Sequence, residues 1–252
     1  MEDVKYNFYA TLLDSFQNYL DSETIYDKYW GFSENPPCTC EEFRQEQFQS
    51  LIDRINRVSF DNEAADKGTA FNEVIDCMVL HKKSDKVDIV KVYDDVKVTG
   101  VNATIGERTF FFSLPLIREF AEYYQKALPQ QYTEGMLTTK YGNVKLYGYI
   151  DYVSPFVIHD LKTTRQYAVG NYKKHWQHLV YPYCLMKEGC NIRDFEYNIA
   201  EIGKSYYRAY TESYSFKPER DIPRLTLQCE DLIIFLHENR DLITDKKILN
   251  LI

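Results

Sequence analysis

The sequence predicts an α/β fold in which a central mixed β-sheet is flanked by helices. Apolar residues recur at helical spacing in the first quarter of the chain, whereas β-branched and aromatic residues alternate with polar ones from Val87 to Ser113. A period near 3.6 marks a helix with one buried face, and a period of 2 marks a half-buried strand. A chain of 252 residues can bury one substantial core. We therefore expect a single domain over residues 1–252.

The helical patterns are concentrated at the start of the chain. The first runs from Asn7 to Tyr19, the second starts near Glu41, and Gly68-Thr69 opens the third. We expect residues 1–67 to form a helical N-terminal part. Beyond the strands of 87–113, the further expected elements are a helix over 116–128 that starts at Pro115, strands over 131–137 and 144–153, a helix over 175–187, strands within 195–216, and a terminal helix from about Pro223. Residues 68–216 are thus the expected core, and 217–252 the C-terminal helix.

Composition limits the classes of partner. The formal charge of −8 argues against a protein that coats nucleic acid through bulk electrostatics, although a local cationic strip and a bound metal can hold phosphate in an acidic protein. The six cysteines carry no CxxC spacing, as expected for reduced thiols. No apolar run approaches the roughly 18 residues of a membrane span, and the N-terminus lacks a signal-peptide pattern. We expect a cytoplasmic protein without a membrane partner.

The informative stretch is a predicted β-hairpin over residues 147–164. Side chains alternate along a strand, so Asp160 and Lys162 share one face while Leu161 points to the other. An even-numbered loop such as 154–157 would place Asp151 opposite Asp160, and an odd loop without a bulge would separate them. Two facing carboxylates repel unless a cation lies between them, and Mg²⁺ prefers oxygen ligands.

These residues resemble the PD-(D/E)XK nuclease superfamily, and more narrowly its RecB-like and lambda-exonuclease-like branch. The match spans roughly residues 68–185 and consists of Asp151, Asp160-Leu161-Lys162, the upstream segment Gly68-Thr69-Ala70-Phe71-Asn72-Glu73, Gly148, Gln177 and Tyr181. The resemblance implies a restriction-endonuclease-like core. It also implies a Mg²⁺ or Mn²⁺ ion held by Asp151, Asp160 and the Leu161 carbonyl, with Lys162 orienting or helping to deprotonate the attacking water.

One position departs from the family pattern. RecB-like proteins usually present a histidine ligand where this sequence has Asn72, which still offers a carbonyl oxygen. Glu73 is a ligand by residue type, but a helical wheel places it farther round, and Asp76 is expected on the surface. Both Asn72 and Glu73 remain candidate metal ligands.

Downstream residues complete the expected site. Gln177 and Tyr181 are four apart and share a helix face, where the family motif contacts the metal-bound water or the DNA backbone. Basic residues lie among aromatic ones in the preceding segment, as suits a backbone track with base stacking. The expected nucleic-acid contacts are Arg165, Lys173, Lys174 and Trp176.

The resemblance implies a Mg²⁺- or Mn²⁺-dependent DNA nuclease that leaves 5′-phosphate ends. Exonuclease action in recombination, repair or phage DNA processing, in the cytoplasm of a bacterial or phage-infected cell, is the first choice. The chain has no GxxxxGK[ST] loop, so a helicase, like a single-strand annealing protein, would be a separate partner. Two alternatives stay open. Asn72 favours an inactive nuclease-fold module that binds nucleic acid or protein, and an RNA endonuclease of the same superfamily shares the motif.

Overall fold

The computed structural model describes residues 4–250 and has helices packed around two β-sheets. The helices within these residues are α1 (Ala10–Leu20), α2 (Ser22–Trp30), α3 (Cys40–Ile55), α4 (Glu63–Leu80), α5 (Leu114–Tyr124), α6 (Gln177–Lys187) and α7 (Pro218–Glu238). The strands are β1 (Val4–Tyr9), β2 (Asp88–Asp94), β3 (Lys97–Ile105), β4 (Arg108–Ser113), β5 (Leu128–Thr139), β6 (Gly142–Val153), β7 (Val157–Thr164), β8 (Asp194–Ile202) and β9 (Tyr207–Ser215). The predicted α/β class, with a central mixed sheet and flanking helices, is confirmed.

The larger sheet has six strands in mixed orientation. β5 runs antiparallel along one edge of β6. The other edge is shared, since β1 pairs in parallel up to Tyr147 and β7 pairs only at Tyr152 and Val153. β8 and β9 continue the sheet beyond β7. Within the described chain, the part of β6 that holds Gly148 and Asp151 thus has no strand partner on this edge.

Each face of this sheet buries an apolar cluster. One lies against α1, α3, α6 and α7. The other lies against α4, α5 and the smaller sheet of β2, β3 and β4, where the rings of Phe71 and Phe112 pack with centroids 5.0 Å apart. Ile150 belongs to the first cluster and Tyr152 to the second. Asp151 therefore lies where β6 passes from one core to the other.

The first quarter of the chain is not wholly helical, and the predicted helix over 7–19 is wrong at its start. Residues 4–9 form β1, because pairing with β6 and complete burial of Phe8 outweigh the local helical spacing. Helix α2 was not predicted at all. Helix α4 begins before Gly68, because Asn62 Oδ1 accepts hydrogen bonds from two backbone amides and caps the helix. The expected boundary at residue 68 consequently falls inside α4.

The prolines have different positions in their helices. α5 carries Pro115 in its first turn, as predicted. α7 starts at Pro218, earlier than expected, and continues through Pro223, while α6 continues through Pro182.

Over residues 4–250, none of the helices combines the length and the apolar character that crossing a bilayer demands.

Candidate functional site

The β6–β7 hairpin carries the charged residues of the predicted site. Its ladder pairs Tyr152 with His159 across the loop 154–157, so the loop is even-numbered, one of the two alternatives that the sequence left open. The same register leads to Asp151 opposite Asp160, but the pairing ends one position before them. The two strands therefore separate. We call the space between Asp151 on β6 and residues 160–161 on β7 the fork.

Asp151 is anchored at the fork by the backbone of β7. Its Oδ2 accepts a hydrogen bond from Leu161 N at 2.8 Å. Burial raises the pKa of Asp151, and the charge of Asp160 raises it further, while Lys162 and the Leu161 amide oppose these effects. Two carboxylates that share a site disfavour each other's ionised form. A cation at the fork would relieve this repulsion.

Asp160, Lys162 and Gln177 form a closed ring of polar contacts. Lys162 Nζ lies 2.7 Å from Asp160 Oδ2 and donates to Gln177 Oε1 at 2.9 Å, while Gln177 Nε2 donates to Asp160 Oδ1. Asp160 and Gln177 are 2% and 5% exposed, so water competes little for these contacts. Burial lowers the pKa of Lys162, but the charges of Asp160 and Asp151 outweigh burial and raise the pKa overall. Lys162 is thereby held as a cation.

Helix α4 brings Asn72 but not Glu73 to the fork. The neighbouring Asn72 side chain has a small lowering effect on the pKa of Asp151, and Asn72 Oδ1 is buried without a hydrogen-bond partner among the described residues. Glu73 is engaged elsewhere, since its Oε1 accepts from Ser84 at 2.9 Å and its Oε2 lies 3.8 Å from Lys86 Nζ. A buried acceptor without a hydrogen bond costs free energy, and such groups in folded proteins usually have a partner. Asn72 is therefore the ligand candidate that the structure favours.

Tyr181 packs behind the fork against Gly148. A Cβ at position 148 would lie only 2.7 Å from a carbon of the Tyr181 ring, so this close approach of α6 to β6 requires glycine. Tyr181 is 6% exposed, and burial raises the pKa of its hydroxyl. Its position indicates a role in holding α6 against the sheet.

The four predicted nucleic-acid contacts divide into two groups. Arg165, Lys173 and Lys174 have exposed side chains, as expected. Trp176 is only 3% exposed, with the Arg224 guanidinium of α7 lying 5.2 Å from its ring centroid. The expectation of base stacking on Trp176 is wrong, because both the core and α7 cover the indole.

Asp14 on α1 is a site neighbour that sequence reasoning missed. Its Oδ1 accepts from Trp176 N at 2.7 Å, and its Oδ2 lies 3.0 Å from His175 Nδ1. The carboxylate thus lies at the N-terminus of α6, immediately before Gln177. A negative charge at this end of a helix is favourable. No local pattern reveals a contact between residues so far apart in sequence.

Asp76 was also misplaced by the sequence, which put it on the surface. It is 3% exposed and accepts a hydrogen bond from the Tyr152 hydroxyl. The Tyr152 ring stacks on Tyr124 with centroids 3.9 Å apart. The only sequence signal for the burial of Asp76 was that it lies four residues after Asn72 on the same helix. This buried network supports β6 directly after Asp151.

The oxygen donors at the fork suit a hard divalent cation. The N–H and C=O of a strand residue point to the same edge, so the Leu161 carbonyl faces the fork together with the amide that binds Asp151. Among residues 4–250, no group of three or more His, Cys, Asp and Glu side chains is placed to hold a metal ion. The available set is two carboxylates, one backbone carbonyl and the orphaned Asn72 oxygen. Such a set fits an ion that keeps several waters, such as Mg²⁺ or Mn²⁺.

Comparisons with family models and with curated proteins find no match for this chain. Among solved structures, one described as "Crystal structure of SSO0001" has a TM-score of 0.42 and 10% sequence identity, over 93% of this chain and 79% of that chain. A likeness of this degree carries no argument about function. A function for this protein is therefore inferred from the residues at the fork.

Proposed function

We propose that this protein is a Mg²⁺- or Mn²⁺-dependent deoxyribonuclease of the PD-(D/E)XK superfamily that leaves 5′-phosphate ends. One observation carries the proposal. Asp151, the Asp160–Lys162 ion pair and the side chain of Asn72, whose Oδ1 has no partner among the described residues, lie at a single gap in the sheet. Phosphodiester hydrolysis needs charge neutralisation and an activated water at one point, and this donor set can support both.

Each residue has a distinct role in this proposal. Asp151, Asp160, Asn72 and the Leu161 carbonyl would hold the ion, which when bound acts as a Lewis acid and lowers the pKa of a water. Lys162 remains a cation between two carboxylates and offers its charge to the scissile phosphate. The positioning residues are Gln177, which fixes Lys162 relative to Asp160, and Tyr181, which fixes α6 on β6.

The choice of DNA and of exonuclease action rests on the family resemblance. The exposed Arg165, Lys173 and Lys174 support phosphate binding despite the net charge of −8. A role in recombination, repair or phage DNA processing, beside a separate helicase or single-strand annealing protein, follows from the same resemblance.

The test is cleavage of end-labelled linear DNA, closed circular DNA and RNA in Mg²⁺, Mn²⁺ or EDTA. We expect metal-dependent loss of the linear DNA, reduced at least about 100-fold by Asp160→Ala and by Lys162→Ala. The exposed Asp85 and Lys97 provide matched controls, since Asp85→Ala and Lys97→Ala should cleave like the wild type. Cutting of the circle would make the protein an endonuclease, and a preference for RNA would make it a ribonuclease. An inert wild type that still binds DNA or a protein would establish the binding module.

A further inference from the structure

A cleft of about 640 Å³ lies beside the fork, and the proposed chemistry does not use it. Helices α1 and α2 form one wall, and residues 170–175 form the other. Its volume is in the range of pockets that hold small ligands. The cleft therefore has room for a short stretch of one strand, and much less than a duplex occupies.

Lysines lie on both walls of the cleft, together with the carboxylates of Asp14 and Asp21. Lys28 on α2 and Lys173 on the opposite wall both have exposed side chains, and neither forms an ion pair within residues 4–250. By contrast, Lys174 Nζ lies 2.7 Å from Asp21 in the same cleft. Lys28 Nζ lies 5.3 Å from the Tyr29 ring centroid, and neither ammonium group has a carboxylate partner among the described residues. Two such groups that line one groove suit a ligand with spaced negative charges, such as successive phosphates.

Aromatic rings connect the cleft to the proposed active site. Tyr29 on α2 is 65% exposed and lies at the cleft. Across from it, the Tyr172 ring stacks on Tyr197 with centroids 4.9 Å apart. Lys162 Nζ lies 5.9 Å from the Tyr197 ring centroid. Tyr197 is fully buried, so these contacts show that the Tyr172 wall of the cleft lies close to the catalytic lysine.

We propose that this cleft binds one unpaired nucleic-acid strand and directs it to Lys162, with phosphates at Lys28 and Lys173 and a base stacked on Tyr29. The inference rests on the proposed nuclease function and specifies its substrate as a strand with unpaired bases. An exposed ring beside lysines is the chemistry by which proteins bind single strands, because an unpaired base offers its face for stacking. Bases within a duplex stack on one another and do not offer that face. Helix α2, which the sequence did not predict, supplies the outer wall.

The experiment measures binding of a fluorescein-labelled single-stranded DNA of defined sequence, and of its duplex, by fluorescence anisotropy in EDTA. Tyr29→Ala should weaken single-strand binding about tenfold, while Tyr29→Phe retains it. Tyr93→Ala is the matched control, since Tyr93 is 56% exposed on the distant strand β2. The double variant Lys28→Ala/Lys173→Ala should reduce the steepness of log K against log [NaCl] by about 1.4, the loss of two phosphate contacts. Lys97→Ala should leave that slope unchanged.

Failure of this inference and failure of the nuclease proposal give different results. If the wild type cleaves DNA while the Tyr29 and lysine variants bind single strands normally, the cleft has no such role and the nuclease proposal stands. If single-strand binding depends on these residues but no cleavage occurs with any metal, the cleft is confirmed and the nuclease proposal falls. A wild type that binds duplex more tightly than the single strand also contradicts the inference.

Discussion

Lys162 Nζ donates a hydrogen bond to Gln177 Oε1 at 2.9 Å, and the same amide donates through Nε2 to Asp160. A side-chain amide presents its acceptor and its donors in fixed positions. The first residue of α6 therefore holds the lysine and the aspartate of β7 in one arrangement. Because Asp14 binds the backbone at Trp176, the start of α6 is itself fixed by α1.

Removal of this amide should impair catalysis without removing a metal ligand. We predict that Gln177→Ala lowers the cleavage rate at saturating Mn²⁺ by about 10- to 100-fold, the usual effect of losing a partner that orients a ligand. Steady-state rates on labelled DNA measure the effect. Gln45→Ala, on the exposed surface of α3, is the control and should cleave like the wild type. Equal rates for the two variants would contradict the positioning role.

Because Asp151 and Asp160 repel each other, we expect that removal of one charge lowers activity but increases stability. Asp151→Asn should abolish cleavage yet raise the free energy of unfolding in EDTA by about 1 kcal/mol, because it removes a partly buried charge beside Asp160. The new side chain keeps an oxygen that can accept from Leu161 N. Urea denaturation of wild type, Asp151→Asn and the exposed control Asp85→Asn measures the change. A loss of stability in Asp151→Asn alone would argue against repulsion.

The hairpin could be predicted from sequence because its determinants are local. Strand alternation was sufficient to place Asp160 and Lys162 on one face. The register of Asp151 stayed open until the even-numbered loop of the structure decided it. β1 could not be predicted in this way, since its partner is β6, far along the chain. The start of α4 was predicted too late, at Gly68, because Asn62 was not recognised as the capping residue.

Prediction of the site residues from sequence was limited for the same reason, because their contacts come from distant parts of the chain. Residue type made both Asn72 and Glu73 candidates, although the helical wheel placed Glu73 farther round. The contacts of Glu73 with Ser84 and Lys86 show that its carboxylate is engaged away from the fork. Trp176 is a residue type that commonly stacks on bases. It is buried under α7, however, and that helix begins more than forty positions later in the chain. Local patterns report residue type and spacing, whereas tertiary packing decides which side chains stay exposed.

Two glycines should respond in opposite directions to the same substitution. Gly148→Ala places a methyl group 2.7 Å from the Tyr181 ring and should cost about 1–3 kcal/mol of unfolding free energy. Gly68→Ala lies inside α4 with its nearest neighbour, Thr163 Oγ1, at 3.5 Å, and should stabilise by up to about 1 kcal/mol. Urea denaturation of both variants measures these changes. Equal effects would contradict the close approach of α6 to β6.

His178 should make the protein sensitive to acid. Burial, with a smaller effect from Arg224, lowers the pKa of His178 to about 3, from an ordinary value near 6.5. The unfolded chain therefore binds the proton first, so the contribution of His178 to stability is complete above about pH 6.5 and is lost as the pH falls toward 3. The unfolding free energy should fall by up to about 1.4 kcal/mol per pH unit in this window.

Urea denaturation between pH 7 and pH 4 tests this dependence. His178→Phe, which keeps a ring against Tyr214, should reduce the slope, whereas His81→Asn at an exposed helix end should not. Identical slopes in all three proteins would show that other groups control the acid response.

Calorimetric titration with Mn²⁺ measures whether the fork binds the divalent ion on which cleavage depends. The proteins compared are the wild type, Asp151→Asn, Asp160→Asn and the surface control Asp85→Asn. We predict saturable Mn²⁺ binding in the wild type and the control, and its loss in both fork variants. Equal Mn²⁺ binding by all four proteins would show that the fork does not hold the ion.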